Sequence, residues 1–63
     1  MKLKKLLEIT HDEQLVCVQT ENGVSALADP GVILQDYKHL LDMDILQVYA
    51  DRLHTRAVLE VLV

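Results

Sequence analysis

Residues 15–28 read LVCVQTENGVSALA, a stretch in which two β-favouring runs flank a single turn signal. Asn22-Gly23 is typical of a two-residue type I′ turn, because both residues tolerate the positive φ that its central positions need. The sequence therefore predicts a hairpin that joins a strand over 14–20 to a strand over 24–28.

Both predicted strands carry apolar side chains on each face. In the first strand, Leu15 and Cys17 share one face, whereas Val16 and Val18 share the other. The faces of the second strand are formed by Val24, Ala26 and Ala28, and by Ser25 and Leu27. We expect the first strand to be covered on both sides, either in the centre of a sheet or at a subunit boundary.

Two amphipathic stretches predict short helices. The first has leucines at the i, i+3 and i+4 spacing of one helix face, and polar residues from Thr10 onward end it: Leu3, Leu6 and Leu7. Before the second, Asp29 suits a helix N-cap and Pro30 the first helical position, although Gly31 favours a later start. Its apolar stripe recurs at i, i+4, i+7 and i+8, at Ile33, Tyr37, Leu40 and Leu41.

The apolar period changes to two after Asp44. This change predicts a third strand over 45–50, a longer hairpin loop over 51–56 and a fourth strand over 57–63. One face of the fourth strand carries Ala57, Leu59, Val61 and Val63. A strand that is apolar on both faces is an aggregation template at a bare sheet edge. We therefore expect the last strand to be central in the sheet or paired with its copy in a second subunit.

The element order α-β-β-α-β-β predicts an α+β fold. The chain has 63 residues, which is the size of one small domain over 1–63. We expect a four-stranded, mainly antiparallel sheet with two short helices packed on one face. The sequence leaves the strand order open.

The apolar content is high for so short a chain. Fifty-one per cent of the residues are apolar, with no Phe or Trp, and a domain of this size hides only about 60% of the surface of its unfolded chain. The aliphatic surplus predicts a homo-oligomer, for which a dimer is the simplest closed form. The predicted oligomer interface lies on the last strand, at Val58, Leu59, Val61, Leu62 and Val63.

The charge pattern restricts the partners. A net charge of −4 disfavours direct binding to nucleic acid. The three lysines before residue 6 are fewer than the four to eight basic residues of a membrane-surface signal, and no segment approaches the roughly 20 apolar residues of a membrane span. Glu8 interrupts the short start that imitates a secretory signal. We expect a soluble, cytoplasmic protein, and a single cysteine agrees with a reducing compartment.

Few residues are candidates for reactive chemistry. Cys17 lies between Val16 and Val18, which favours a small hydrophobic role over that of a nucleophile. The acidic pairs 12–13 and 42–44 would bind a metal only if they converged, and the histidines lack the helical spacing of a zinc site: His11, His39 and His54. We predict no enzyme, no cofactor and no metal.

The predicted hairpin loop supplies the candidate binding residues, which are Arg52, His54 and Arg56. Two arginines on a hairpin can hold a phosphate or a carboxylate bidentately. The alternative is that all three are solvated polar residues.

Residues 2–19, KLKKLLEITHDEQLVCVQ, resemble the opening of many short uncharacterised proteins of phages and prophages. The shared pattern is a leucine-bearing helix, an acidic turn and a Val-rich strand, and the Ala50–Thr55 connection is longer here than in the commoner form. The resemblance implies an origin in a mobile element and a place in the cytoplasm of a bacterial host cell. It also implies stoichiometric binding to a host or phage protein, including inhibition of a defence protein, and it supplies no catalytic residues.

Three classes of function follow from these observations. The first is a non-enzymatic binding module, whose acidic surface could fill a basic groove on a host or phage protein. The second is a structural or assembly protein of a virion. The third is a binder of a small ligand or nucleotide in pockets between subunits, with Arg52, Arg56 and the lysines as anion contacts.

Overall fold

A computed structural model describes all 63 residues and shows two α-helices beside a four-stranded sheet. The elements are α1 (Leu3–Ile9), β1 (Leu15–Thr20), β2 (Gly23–Ala28), α2 (Pro30–Asp36), a 3-10 turn (Lys38–Leu40), β3 (Gln47–Leu53) and β4 (Arg56–Leu62). The strand order is β2-β1-β4-β3, in which the central pair β1 and β4 is parallel and both outer pairs are antiparallel. The predicted α+β class is confirmed, and the last strand is central in the sheet.

The hydrophobic core lies between the helices and one face of the sheet, which we call the helix face. Val16 and Val18 of β1 and Val61 of β4 are fully buried there. They pack in one cluster with the leucine stripe of α1, with α2 and with the 3-10 turn, through Leu3, Leu7, Ile33 and Leu40. The helical periodicity at the start of the chain thus places its apolar stripe as predicted, and both helices cover the same face.

The first hairpin differs from the prediction in its turn. Gly23 has φ of 101°, but Asn22 does not have positive φ, so the turn is not type I′. Thr20 pairs with Gly23, and a bulge between Val18 and Gln19 shifts the register of the two strands. As a result Val24 pairs with Gln19, away from the helix face, and the predicted common face of Val24 and Ala26 is wrong.

The second helix begins as predicted but ends early. Asp29 is the N-cap and Pro30 the first residue of α2, so Gly31 does not delay the start. Tyr37, at φ −123° and ψ 46°, leaves the helical region and separates α2 from the 3-10 turn. The single stripe predicted from Ile33 onward therefore spans two elements, and both contribute buried residues to the core.

The second hairpin corrects the predicted loop over 51–56. β3 runs to Leu53, which pairs with Arg56, so only His54 and Thr55 form the turn. His54 has φ of 58°, the only positive φ outside glycine. Asp51 and Arg52 read as loop residues in the sequence, but an edge strand that is exposed on both faces accepts polar side chains.

Candidate functional site

The second face of the sheet carries no helix, and we call it the open face. The pairing registers place residues of both hairpins there in adjacent rows. They are Cys17, Gln19 and Leu27 from the first hairpin, and Tyr49, Asp51 and Glu60 from the second, with Val24, Leu53, Val58 and Leu62 around them. The open face is therefore built by all four strands and is mixed in character. Its side chains are apolar around two carboxylates, and Arg56 lies at its end, opposite Leu53.

A carboxylate lies at the centre of the open face. Glu60 pairs in register with Cys17 on one side and with Tyr49 on the other. Its Oε2 accepts a hydrogen bond of 2.7 Å from Nε2 of Gln19, and the Cys17 thiol lies next to the same carboxylate. Both neighbours are uncharged, so neither balances the negative charge of this partly buried group.

No basic side chain of the chain neutralises Glu60. The protein has two ion pairs, Lys2 to Asp44 at 3.0 Å and Arg56 to Asp29 at 3.1 Å, and neither includes Glu60. An anionic group in a partly dehydrated site is stabilised when a cation approaches it. The centre of the open face is therefore complementary to a positively charged group.

The Cys17 thiol is poorly suited to nucleophilic chemistry. The side chain is buried, and this burial, followed by the hydrogen bond and the charge of Glu60, raises the pKa of Cys17 to about 11. A nucleophilic cysteine needs the opposite environment, in which a nearby cation or a helix N-terminus lowers the pKa. The structural role predicted for Cys17 is in keeping with this environment.

A shallow cleft of about 220 Å³ runs across the open face next to Glu60. Its apolar walls come from both hairpins, with Leu27 and Val24 on β2 and Leu53 and Val58 on the second hairpin. Leu27 is 45% exposed and Val24 is 64% exposed. Asp51 and Arg52 border the same cleft. The cleft thus offers apolar contact around two carboxylates.

Arg56 has a structural partner at the start of β4. Its Nη2 donates to the backbone oxygen of Glu13 at 2.9 Å and to Oδ1 of Asp29 at 3.1 Å. These bonds link β4 to the loop before β1 and to the beginning of α2. Asp29 makes no side-chain capping bond at the N-terminus of α2, so its carboxylate serves the arginine instead.

The other two predicted binding residues are not drawn into one anion site with Arg56. Successive strand residues point to opposite faces, and Arg52 lies between the open-face residues Asp51 and Leu53. His54 lies in the turn and is exposed. The binding role of Arg52, His54 and Arg56 stays a prediction from the sequence.

The predicted interface residues of the last strand divide between the two faces of the sheet. Val58 and Leu62 belong to the open face. Val61 is fully buried on the helix face, and Leu59 and Val63 pack against the same core. Val61 therefore has no free surface for a second subunit, because the helices of its own chain already cover it.

A larger cleft of about 550 Å³ opens at the other end of the molecule, near the turn of the first hairpin. Its lining combines apolar residues with hydroxyl, amide and imidazole groups: Thr20, Asn22, Ser25, His39, Leu40, Met43, Leu46 and Val63, with Glu21. The hydroxyls of Thr20 and Ser25 lie 2.9 Å apart and share a hydrogen bond. This volume falls in the range of small-molecule sites.

The acidic and imidazole groups do not converge. No group of three or more His, Cys, Asp or Glu side chains is arranged to hold a metal ion. Asp44 is paired with Lys2, and the Nδ1 atom of His11 accepts a hydrogen bond from the backbone N–H of Glu13 at 3.1 Å.

Sequence reasoning missed Glu60 as the centre of a site. One signal was present, because Glu60 is the only charged residue of an otherwise aliphatic run from Ala57 to Val63. The pairing of β1 with β4 places Glu60 beside Cys17 and Gln19. This pairing depends on the strand order, which no local sequence pattern indicates.

The fold and the open face define a small α+β domain with one helix-covered and one uncovered sheet face. Comparison with protein-family models, with curated proteins and with solved structures finds no match for this chain. Neither helix has the length and apolar character that crossing a membrane would require.

Proposed function

We propose that this protein is a non-catalytic protein-binding module and that it contacts its partner through the open face. The observation that carries the proposal is the combination at the cleft beside Glu60, where exposed apolar side chains surround a carboxylate that forms no ion pair within its own chain. Interfaces combine such an apolar centre with a few oriented polar groups. A partner segment with a lysine or arginine flanked by apolar side chains fits this surface best.

The overall charge supports the same partner chemistry. The chain carries ten acidic and six basic residues, for a net charge of −4, and a negative surface steers encounters toward basic proteins. A bacterial or phage protein with a basic groove is the partner that this charge favours. Binding inhibits that partner if the groove is its active site or its own binding site. The resemblance to short phage proteins agrees with such a role.

Paired exposed residues allow a sharp test. Leu27 on the open face is 45% exposed and Val32 on α2 is 43% exposed. The wild-type protein, Leu27→Asp and Val32→Asp are used as baits in bacterial lysates, after circular dichroism has shown that each variant is folded. We expect a stoichiometric partner that wild type and Val32→Asp retain and that Leu27→Asp loses.

A second pair of variants tests the charge at the centre of the open face. Glu60→Gln removes the negative charge but keeps an acceptor and similar shape, whereas Glu21→Gln removes a charge in the exposed turn. We expect Glu60→Gln to weaken the captured complex and to reduce its dependence on salt. A partner that binds all four variants as it binds wild type contradicts the assignment of the open face.

The larger cleft supports one alternative, the binding of a small ligand. Its volume of about 550 Å³ and its polar lining are the relevant observations. A nucleotide and metabolite panel is screened by thermal shift, because a ligand that binds only the folded state raises the melting temperature. Loss of a shift in Ser25→Ala, with no loss in Leu27→Asp, assigns the ligand to this cleft.

A further inference from the structure

β3 is the least protected element of the sheet. None of its seven residues is buried, and its extensive contacts are with β4 alone. Its outer edge therefore presents unpaired backbone N–H and C=O groups. Apolar side chains flank this edge above and below the sheet, since Val48 on the helix-face side and Leu53 on the open face are each 42% exposed. Such an edge is a template for another strand.

The opposite edge of the sheet is protected. β2 carries the register shift opposite Val18 and Gln19, and α2 packs against it. A bulge is one of the usual means of blocking an edge. β3, by contrast, pairs with β4 without interruption from Gln47 to Leu53 and contains no proline. The chain therefore blocks one edge and leaves the other regular.

We propose that β3 pairs antiparallel with β3 of a second copy of the chain, across a two-fold axis, to form a continuous eight-stranded sheet. This inference is independent of the proposed function, because it concerns the edge of the sheet and not the open face. It assigns the predicted oligomer contact to β3, in place of the last strand.

The residues of β3 select one register for such a pair. Directly opposite residues of a continuous antiparallel sheet lie on the same face. The two-fold axis must therefore lie midway between the two copies of one residue, which pairs with itself; we name each possible axis by that residue. An axis through Asp51 or Arg52 sets like charges opposite each other, which is unfavourable. An axis through Ala50, the middle residue of β3, pairs all seven residues and places only two methyl groups at the axis.

The register centred on Ala50 also matches the neighbouring side chains. Tyr49 lies opposite Asp51 of the second copy, where its hydroxyl group can donate to the carboxylate. Val48 lies opposite Arg52 of the second copy, whose aliphatic stem can cover it while the guanidinium group stays in water. Each contact occurs twice because of the two-fold symmetry.

A second copy fits the edge better than it fits the open face. Two open faces packed against each other would bring Glu60 and Asp51 toward the same residues of the other copy, and neither carboxylate is held in an ion pair. Burial of like charges in this way is costly. Edge pairing leaves both open faces exposed on the same side of the dimer.

Sedimentation velocity over a wide range of concentration tests the inference. An interface of one strand pair lies at the small end of protein interfaces, so we expect a reversible dimer with a dissociation constant on the order of micromolar. Val48→Lys places a charge at the edge, and Val32→Lys is its matched control, because these valines are 42% and 43% exposed. We expect Val48→Lys to be monomeric and Val32→Lys to dimerise like wild type.

Cross-linking tests the register. In a Cys17→Ala background, Ala50→Cys places one thiol from each copy at the axis, where the Cα atoms of paired strands are about 4.5–5.5 Å apart and a disulfide fits. Ala57→Cys in the same background is the control, since Ala57 is exposed on β4. We expect mild oxidation to link Ala50→Cys into a covalent dimer and to leave Ala57→Cys largely monomeric.

Several results would overturn the inference. A wild-type protein that stays monomeric well above micromolar concentration excludes the dimer. A dimer that Leu27→Asp dissociates and Val48→Lys does not would lie on the open face. If Val48→Lys fails to fold, the cross-link decides, because a failure of Ala50→Cys to link in a folded dimer contradicts the edge pairing.

Discussion

The Cys17 thiol is held in its protonated form by two features of the sheet. Burial between β2 and β4 disfavours the thiolate, and the carboxylate of Glu60 accepts the thiol hydrogen and repels the charge that deprotonation would create. Glu60 in turn has Gln19 as a second neutral partner. The open face therefore holds a neutral cysteine next to a carboxylate that forms no ion pair.

We predict slow alkylation of Cys17. The pKa is raised from 9.0 to about 11, so the thiolate fraction near pH 8 is lower by about 100-fold than in the unfolded chain, and burial slows the reaction further. Iodoacetamide labelling followed by mass spectrometry, in native buffer and in urea, measures the ratio. Glu60→Gln removes one charge but not the burial, so its rate is expected between the native and unfolded rates. Equal native and unfolded rates in the wild type would show that the thiol is accessible.

At the scale of the elements, short sequence patterns predicted those helices and strands that depend mainly on interactions between residues close in the chain. The stripe of α1, the Asp29-Pro30 start of α2 and both strands of the first hairpin follow from short sequence patterns, and the structure confirms them. The parallel pairing of β1 with β4 depends on contacts between distant segments, and the apolar period that runs past Tyr37 does not indicate the end of α2 there. Those features, and with them the position of Glu60, lie outside the reach of sequence periodicity.

In the two hairpins, short sequence patterns did not predict the turn geometry and the strand ends correctly. Asn22-Gly23 predicts a turn at the right place, but Thr20 pairs with Gly23, and the bulge that follows in β2 shifts the register of the hairpin. In the second hairpin, polar residues at Asp51 and Arg52 imitate a loop because the edge strand faces water on both sides. Alternation of apolar and polar residues identifies a strand only when one face is buried.

The first turn gives a prediction that separates its two candidate geometries. Gly23 alone has positive φ, and a Cβ added there would meet nothing within 4 Å, so Gly23→Ala is strained in its backbone without a steric clash. We expect a loss of about 1–2 kcal/mol in the free energy of unfolding. Asn22→Ala should change it by less than about 0.5 kcal/mol. Urea denaturation measures both, and similar large losses for the two variants would indicate the type I′ turn instead.

At the scale of the whole molecule, a thin core supports a wide surface. Only 11 of 63 residues are buried, and the helices cover one face of the sheet. Nine large hydrophobic residues remain exposed, and they include Leu27 on the open face and Val48 on β3. Because so little apolar surface is buried within one chain, a small set of core residues carries the stability of the fold, and the exposed remainder is available for contacts with other chains.

Two neighbouring residues of α2 provide a test of this division between a small buried core and an exposed apolar surface. Ile33 is fully buried against the helix face, whereas Val32 beside it is 43% exposed. A domain of this length has a free energy of unfolding of about 3–9 kcal/mol, and truncation of a buried isoleucine to alanine removes about 2–5 kcal/mol. We therefore expect Ile33→Ala to lose most of the stability or to unfold, and Ile33→Val to lose about 0.5–1.5 kcal/mol.

Val32→Ala is the matched control, with an expected change of less than about 0.5 kcal/mol. Urea denaturation followed by circular dichroism compares the four proteins at one fixed concentration, because association between copies would otherwise shift the midpoint. If Ile33→Ala and Val32→Ala destabilise the protein equally, the helix face is not the main core, and the stability must come from contacts between chains.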